Sequence, residues 1–418
     1  MKYIFIICDI FPPAFGPRMG YLCKYLKQNG WDPVVLTEFI DEETFSFLGK
    51  DIDVTYVRYY EKKGFFGKME WLRTFVRDML FNYKDKRMYR KALEIVAKHK
   101  FDLILCSTFR TFPLYAASMI AKNTGLPLVT DLRDIIEQYT GHEFIIHNPP
   151  KFLGINKAIV AVFRKRNISI RNKVLRKAAA VTTVSPWHVS LLKQYNANTR
   201  LIYNGYDPDL FYPEEIKTDK FSITYTGRLL SSAMRNPDLL FHAVERLSEE
   251  GVITPDLFRI RWFVDDKSRD SIMEIVEKHE GISDYVDYFG YIPASDVPKV
   301  LNESSMLLLL TNKAEADGPK GVMTTKFFES LAVGKPILCV RGDEDCLEEV
   351  INRTRSGLSA HNADEVYDFI KEHYINWKEN KPYIDNSDKE EIKKYSREAQ
   401  ALQFIQIFEQ IKNPPMQR

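Results

Sequence analysis

Cysteine is scarce: five in 418 residues, at Cys8, Cys23, Cys106, Cys339 and Cys346, with no Cys-x-x-Cys pair. That spacing excludes a disulfide framework. Cys8, Cys106 and Cys339 stand in apolar runs, where a free thiol behaves as a small hydrophobe suited to a reducing cytosol. No run approaches the ~18 apolar residues that a membrane span requires. The opening MKYIFIICDIFPP has a short apolar run, broken by Asp9 and followed by no small-residue cleavage site. It reads as a first strand rather than a signal peptide, and the protein is expected in the cytoplasm. Charge of one sign is also missing: 59 basic residues against 57 acidic leave a net +2. With no recognised binding module beside it, nucleic acid is not an expected partner. The eight histidines form no His-x-His or His-x-x-x-His pair, and no usable Asp-x-Asp site is present. Asp343-Glu344-Asp345 reads more simply as a helix cap. Neither Gly-x-Gly-x-x-Gly nor a P-loop occurs, so no metal and no cofactor are expected.

What is present is the composition of a soluble globular enzyme, 45% hydrophobic and 28% charged. The length suits two α/β domains of about 200 residues each. Short apolar runs alternate with helical patterns from Tyr3–Cys8 through Val34–Thr37, Leu103–Ser107, Leu128–Thr130, Ala180–Val184 and Leu201–Tyr203. The same rhythm restarts at Ile223–Thr226, Ile260–Val264, Val286–Phe289, Met306–Leu310 and Ile337–Val340. Short, continuously apolar strands imply parallel sheets covered on both faces. The segment from Gly205 to Lys220, rich in Pro, Asp and Tyr, reads as the interdomain linker. Two doubly wound domains are therefore expected: residues 1–206, completed by a C-terminal helix at about 395–413, and residues 207–394.

In such sheets ligands bind beyond the carboxyl ends of strands, so the informative residues are those just after strands. Phe11–Arg18 carries Gly16 and three prolines; it reads either as a close backbone approach to a ligand or as a stiff connector. Thr226-Gly227-Arg228-Leu229, with Arg235 shortly after, offers two guanidinium groups that could hold a diphosphate. Asp317 to Pro336 is the strongest block: a glycine-containing loop enters a helix capped by Thr324 or Thr325, with Lys326 in the first turn and Glu329 one turn on. Its N-terminus suits an anion and Glu329 suits vicinal ribose hydroxyls, although a plain capped amphipathic helix would look similar.

Val181–Pro213 (VTTVSPWHVSLLKQYNANTRLIYNGYDPDLFYP), TGRL at Thr226–Leu229, FFESLAVGKPIL at Phe327–Leu338, the FPPAFGPR loop and YSREAQ at Tyr395–Gln400 together resemble the retaining GT-B glycosyltransferases of family 4. The resemblance implies a GT-B fold, two Rossmann-like domains facing across a cleft, with the last helix returning to the first domain. It implies transfer of a sugar from a nucleotide-diphosphate-sugar to a glycan or lipid-linked acceptor, with retention at the anomeric carbon and without a metal. A UDP-sugar is favoured and a GDP-sugar is next. On this resemblance Arg228 binds the diphosphate, Glu329 is the second glutamate of the E-x7-E motif holding the ribose, and Gly16 lies near the phosphates. The first glutamate falls at Gly321, and the lysine expected five residues after Arg228 falls at Ala233, leaving Arg235 as its substitute. Both departures resemble a subgroup of bacterial exopolysaccharide transferases with a (T/P)-K-x-x-E block, in which Lys326 contacts the donor. Arg228, Arg235, Lys326 and the Thr324/Thr325 backbone would stabilise the leaving phosphate. Asp131 would orient a sugar, or else join Arg133 and Asp134 in a local ion-pair network.

Lys151–Lys177 holds nine basic residues and no acidic one, interleaved with apolar side chains. Lys62–Lys100 mixes Phe65, Phe66, Trp71 and Phe75 with many basic residues. Arg18, Arg164, Lys165 and Arg166 are the candidate acceptor-side or membrane-side residues, for peripheral contact with the inner membrane; solvated helix faces over a core would give the same pattern. Two rival functions stay open: a GT-B nucleotide-sugar epimerase, and a non-catalytic membrane-associated partner in polysaccharide assembly.

Overall fold

The computed structural model describes residues 2–139, 155–229, 235–311, 323–340, 346–381 and 385–413, without the side chains of 155–156. The chain forms two compact units, Met1–Tyr203 with Arg397–Arg418, and Asn204–Ser396.

The first unit holds strands β1 (Lys2–Cys8), β2 (Trp31–Glu38), β3 (Asp53–Val57), β4 (Leu103–Thr108), β5 (Leu128–Leu132), β6 (Ala180–Thr183) and β7 (Thr199–Leu201). Its helices are α1 (Pro17–Gln28), α2 (Gly64–Phe81), α3 (Tyr83–Val96), α4 (Leu114–Thr124), α5 (Ile155–Leu175) and α6 (Pro186–Leu192), closed by the final helix of the chain, α14 (Arg397–Lys412). The sheet is parallel with order β3-β2-β1-β4-β5-β6-β7.

Each central strand is apolar on both faces because both are covered. Phe5, Ile7, Ile104 and Cys106 pack with Met88, Ala117 and Ile120 of α3 and α4. Ile4, Ile6, Cys8, Leu103 and Leu105 pack with Met19 and Leu26 of α1 and with Phe404 and Phe408 of α14. Alternate residues thus serve opposite cores, as the two-residue repeat of a strand dictates. The last helix is fastened by the Trp31–Phe408 edge contact at 5.5 Å and by the Lys412–Asp102 ion pair at 2.6 Å.

The second unit holds β8 (Phe221–Thr226), β9 (Phe258–Phe263), β10 (Val286–Phe289), β11 (Met306–Leu310), β12 (Ile337–Val340) and β13 (Gly357–Ala360). Around them lie α7 (Asp238–Glu249), α8 (Asp266–Val276), α9 (Val297–Asn302), α10 (Thr325–Val333), α11 (Leu347–Thr354), α12 (Ala363–Lys378) and α13 (Lys389–Lys393). The order β10-β9-β8-β11-β12-β13 is again parallel. In both sheets the strand order reverses beside the first strand, between β1 and β4 and between β8 and β11, which marks the switch points where such sheets take ligands.

The segment expected as a linker belongs to the second unit. Tyr206 bridges to Ser396, the Tyr206 N–H donates to the Tyr395 carbonyl at 3.2 Å, and the Glu214 N–H donates to Asn302 Oδ1 at 2.9 Å. Helix α8 begins directly behind Asp265, which caps it by accepting from the Ser268 N–H at 2.9 Å.

Candidate functional site

In the second unit, β8 carries Tyr225 and Thr226 to its carboxyl end, and the chain turns at Gly227, whose φ of +98° favours glycine. The side chain of Lys326, from the first turn of α10, lies over that turn. A Cβ on Gly227 would stand within 2.5 Å of Lys326 Nζ, so the missing side chain is what gives the lysine its place. Lys326 Nζ donates to Tyr225 Oη at 3.2 Å and sits 4.7 Å from the ring centroid. Arg235 Nη1 donates to the same hydroxyl at 3.3 Å and to the Arg228 carbonyl, while Tyr225 Oη donates to that carbonyl at 2.9 Å.

Two cations therefore converge on one neutral hydroxyl. Burial, reinforced by repulsion from Arg235, pulls the Lys326 ammonium below the usual lysine range against the pull of Tyr225 and Glu329. Burial alone would raise the Tyr225 phenol, but the Lys326 and Arg235 charges overcome it and bring it down. An anion held here would relieve the repulsion between the two cations.

Helix α10 adds its own field. Thr324 stands at the N-cap with an extended backbone, yet its side chain makes no capping hydrogen bond. The positive end of the helix is thus turned toward the Lys326 corner without a hydroxyl cap. Asn204 Nδ2 donates to the Met323 carbonyl at 3.4 Å and helps to hold the entry to the helix. Thr325 and Glu329 are partly exposed, as is Lys326.

Arg228 takes a different course from Lys326. Its side chain is 66% exposed, reaches Asp265 at 3.3 Å and lies 5.8 Å from the Tyr291 ring centroid. The buried Leu229 N–H, donating to Ser268 Oγ at 2.9 Å, anchors the turn behind it. Tyr225, Asp265 and Ser268 were not legible as site residues: one reads as core, the other two as the start of a helix. Gly321, Ala233, Asp343-Glu344-Asp345 and most of the Asp317–Thr324 loop lie outside the described residues.

In the first unit the candidates meet, but with one another. Arg18, on the first turn of α1, donates from Nε and Nη2 to the two carboxylate oxygens of Asp131 at 3.0 and 2.9 Å, from Nη1 to the Tyr203 carbonyl at 2.8 Å and from Nη2 to the Ile202 carbonyl at 3.0 Å. Ser107 and Thr182 hydroxyls also donate to Asp131, each at 2.8 Å. Arg18 is 4% exposed and Asp131 fully buried. Burial would raise the Asp131 carboxyl, but Arg18 and the two hydroxyls hold it below the usual range.

Arg18, expected on the acceptor side, and Asp131, expected to orient a sugar, are thus paired in the interior, where they tie α1 to β5. The expected network of Asp131, Arg133 and Asp134 is also divided. Arg133 pairs with Asp9, and Asp134 accepts from Gln138 Nε2 and Tyr139 Oη at 3.0 Å each. Gly16 is buried, and a Cβ there would lie 2.8 Å from Phe11 Cα. The close approach that requires glycine is the loop's own backbone.

On α5, Arg164 donates to the Tyr139 carbonyl at 2.7 Å and Arg166 to the Asp78 carbonyl at 2.7 Å, whereas Lys165 is exposed. Two of the three basic candidates thus brace the helix against its neighbours.

Among the described residues one group has metal-ligating chemistry: Asp238, His242 and His279 bring one ligand atom each within 4.8 Å of one another. His279 Nε2 lies 3.1 Å from Asp238, and both histidines come within 3.1 Å of Glu245, so that His279 joins a polar cluster along one face of α7. Asp238, His242 and Glu245 share one helix face by their spacing; His279 is too distant in sequence to have been added to them.

Residues 18–210 match the family described as Glycosyltransferase Family 4. No curated protein matches the sequence. Among solved structures, the chain is similar to a sucrose-phosphate synthase from Thermosynechococcus elongatus, with TM-score 0.65 and 16% identity over 98% of this chain and 99% of that one. It is similar to Anabaena HepE in complex with UDP, with TM-score 0.62 and 14% identity over 98% and 100%. A putative UDP-N-acetylglucosamine 2-epimerase from Listeria monocytogenes aligns with TM-score 0.54 and 13% identity over 98% and 96%. The fold is GT-B, built from two Rossmann-like α/β domains.

Proposed function

We propose that the protein is a retaining glycosyltransferase that moves a sugar from a nucleotide-diphosphate-sugar to a glycan or lipid-linked acceptor in cell-surface polysaccharide synthesis. The observation that carries this reading is the convergence of Lys326 and Arg235 on Tyr225 at the switch point of the second sheet, under the uncapped start of α10. The Family 4 match and the UDP held by the similar Anabaena protein support a sugar nucleotide as the anion, with UDP as its favoured nucleotide.

In this reading Lys326, Arg235 and the Thr324/Thr325 backbone receive the diphosphate, and Arg228 swings from Asp265 onto it. Glu329, on the same face of α10 as Thr325, accepts from the ribose hydroxyls. Charge grows on the leaving phosphate as the sugar departs, and cations already held in place stabilise it without reorganisation. The phosphate oxygen then takes the proton of the incoming hydroxyl, so the reaction calls for no separate strong base and no metal. Asp131 and Arg18 act through the fold and not at the reacting atoms.

The likeness to the Listeria epimerase keeps one second reading, inversion at a sugar carbon of the same donor. One assay separates them: the purified chain, a panel of UDP- and GDP-sugars and a lipid extract, followed by proton NMR of the anomeric region. Transfer gives nucleoside diphosphate together with a product that keeps the donor's anomeric configuration. An epimerase gives a new sugar nucleotide without acceptor, and a non-catalytic partner gives neither.

A further inference from the structure

Helix α2 carries its apolar side chains on the wrong face for a core. Of its 18 residues only Thr74 is buried. Phe65, Phe66, Met69, Leu72, Val76 and Leu80 are all between 45% and 71% exposed. At 100° per residue they fall on one stripe. The opposite side of the helix makes the protein contacts: Phe75 stacks on Phe163 of α5 at 5.6 Å, and Trp71 stacks on Phe75 at 5.2 Å. Packing among the described residues therefore does not account for the stripe.

The charges around it have one sign. Lys68 flanks one edge of the stripe by helical position, Arg73 and Arg77 the other, and all three are exposed. The two acids of the helix are turned elsewhere. Glu70 accepts from the Glu61 and Lys62 N–H groups at 2.9 Å each, and Asp78 accepts from the Lys84 N–H at 2.8 Å. At the carboxyl end, where α2 meets α3, lies a pocket of about 470 Å³ lined by Arg77, Lys86, Arg87 and Arg90 with Phe81 and Tyr83. Arg77 lies over the Tyr83 ring at 4.0 Å, and Arg87 Nη1 reaches the Tyr83 hydroxyl at 3.5 Å.

We infer that α2 is an in-plane membrane helix. Its stripe enters the acyl boundary of an anionic bilayer, and the Arg77/Lys86/Arg87/Arg90 pocket takes the phosphate of a lipid headgroup. The apolar stripe supplies the buried area and the basic rim supplies attraction to the surface, which is the pairing an interfacial helix requires. No helix among the described residues is long and apolar enough to cross a membrane, and this mode of attachment requires none. The inference stands apart from the transfer reaction, since binding to lipid is read without turnover.

The test is co-sedimentation of the full chain with vesicles of phosphatidylcholine, with and without phosphatidylglycerol. Three proteins are compared: wild type, Leu72→Glu/Val76→Glu and Arg77→Gln/Arg87→Gln/Arg90→Gln. Wild type is expected on the anionic vesicles, and less so as salt rises. The arginine triple variant loses about fivefold in partitioning per charge, roughly a hundredfold in all. The glutamate pair abolishes binding with an unchanged melting temperature, because both positions are exposed. Absence of wild-type binding to anionic vesicles overturns the inference, as does binding indifferent to either variant. So does sedimentation equilibrium in which the glutamate pair dissolves a dimer, since the stripe is then a self-association face.

Discussion

Replacing Asp131 by Asn separates packing from chemistry in the first unit. One carboxylate oxygen accepts from Arg18 Nη2 and the Thr182 hydroxyl, the other from Arg18 Nε and the Ser107 hydroxyl. The hydroxyls can rotate, but the guanidinium only donates. Whichever way the Asn amide is turned, its NH2 faces an Arg18 donor, and a guanidinium that is 4% exposed loses its counter-charge. Removing one partner of a buried pair costs about 3–5 kcal/mol. Hydrogen exchange of peptides covering β5 and α1 reads that loss within one unit, which avoids treating a two-unit chain as a single transition. A loss of 3 kcal/mol speeds globally limited exchange by about two orders of magnitude. Ser107→Ala, losing one hydrogen bond of about 1 kcal/mol, speeds it only severalfold. If Asp131→Asn left exchange within a few-fold of wild type while sugar transfer collapsed, Asp131 would belong to the reaction and the packing argument would be wrong.

Two further substitutions test other parts of the account. Gly227→Ala places a side chain on a φ of +98° and into Lys326; it should cost roughly 1–3 kcal/mol in backbone strain and displace the ammonium from Tyr225. Nucleoside diphosphate affinity should fall at least tenfold, and Lys326→Met should reproduce that fall without the loss of melting temperature; full affinity in Gly227→Ala would contradict the site. Asp85, buried on α3, has its carboxyl pushed from 3.8 up to about 7, first by burial and then by Asp78. The raised value means the unfolded chain ionises first, so the group costs stability increasingly from pH ~4 to ~7 and uniformly above. Asp85→Asn, which keeps an acceptor for the Ala116 N–H, should therefore gain about 2–4 kcal/mol over wild type between pH 4 and pH 8. Urea unfolding at the two pH values checks this, and a pH-independent difference would contradict it.

The central strands were legible because their apolar runs are continuous: Ile4–Cys8 and Met306–Leu310 are buried on both faces. Strand β3 was not, since Asp53–Val57 lies at a sheet edge with most of its residues at least partly exposed. Strand β13 (GLSA) has little strand propensity of its own; at Gly357 a Cβ would overlap the backbone of Ile337, so proximity to β12 selects the residue. Helix α2 read as a basic aromatic stretch without an assigned face, because its apolar residues occupy both the packed and the exposed sides.

The site divides in the same way. Lys326 and Arg235 stand in local patterns that point to an anion, whereas their shared partner Tyr225 lies in a strand and resembles core. Arg18 opens α1 beyond the carboxyl end of β1 and Asp131 lies near the carboxyl end of β5, where ligand residues are expected, but they are 113 positions apart. Nothing local to either showed that each completes the other.

The most direct test of the donor site is calorimetric titration of UDP, GDP and uridine onto wild type, Lys326→Met and Glu329→Ala. One diphosphate should bind; Lys326→Met should weaken it at least tenfold while leaving any nucleoside binding unchanged, and Glu329→Ala should weaken diphosphate and nucleoside alike. Absence of binding by either diphosphate, or diphosphate binding indifferent to Lys326→Met, would contradict it.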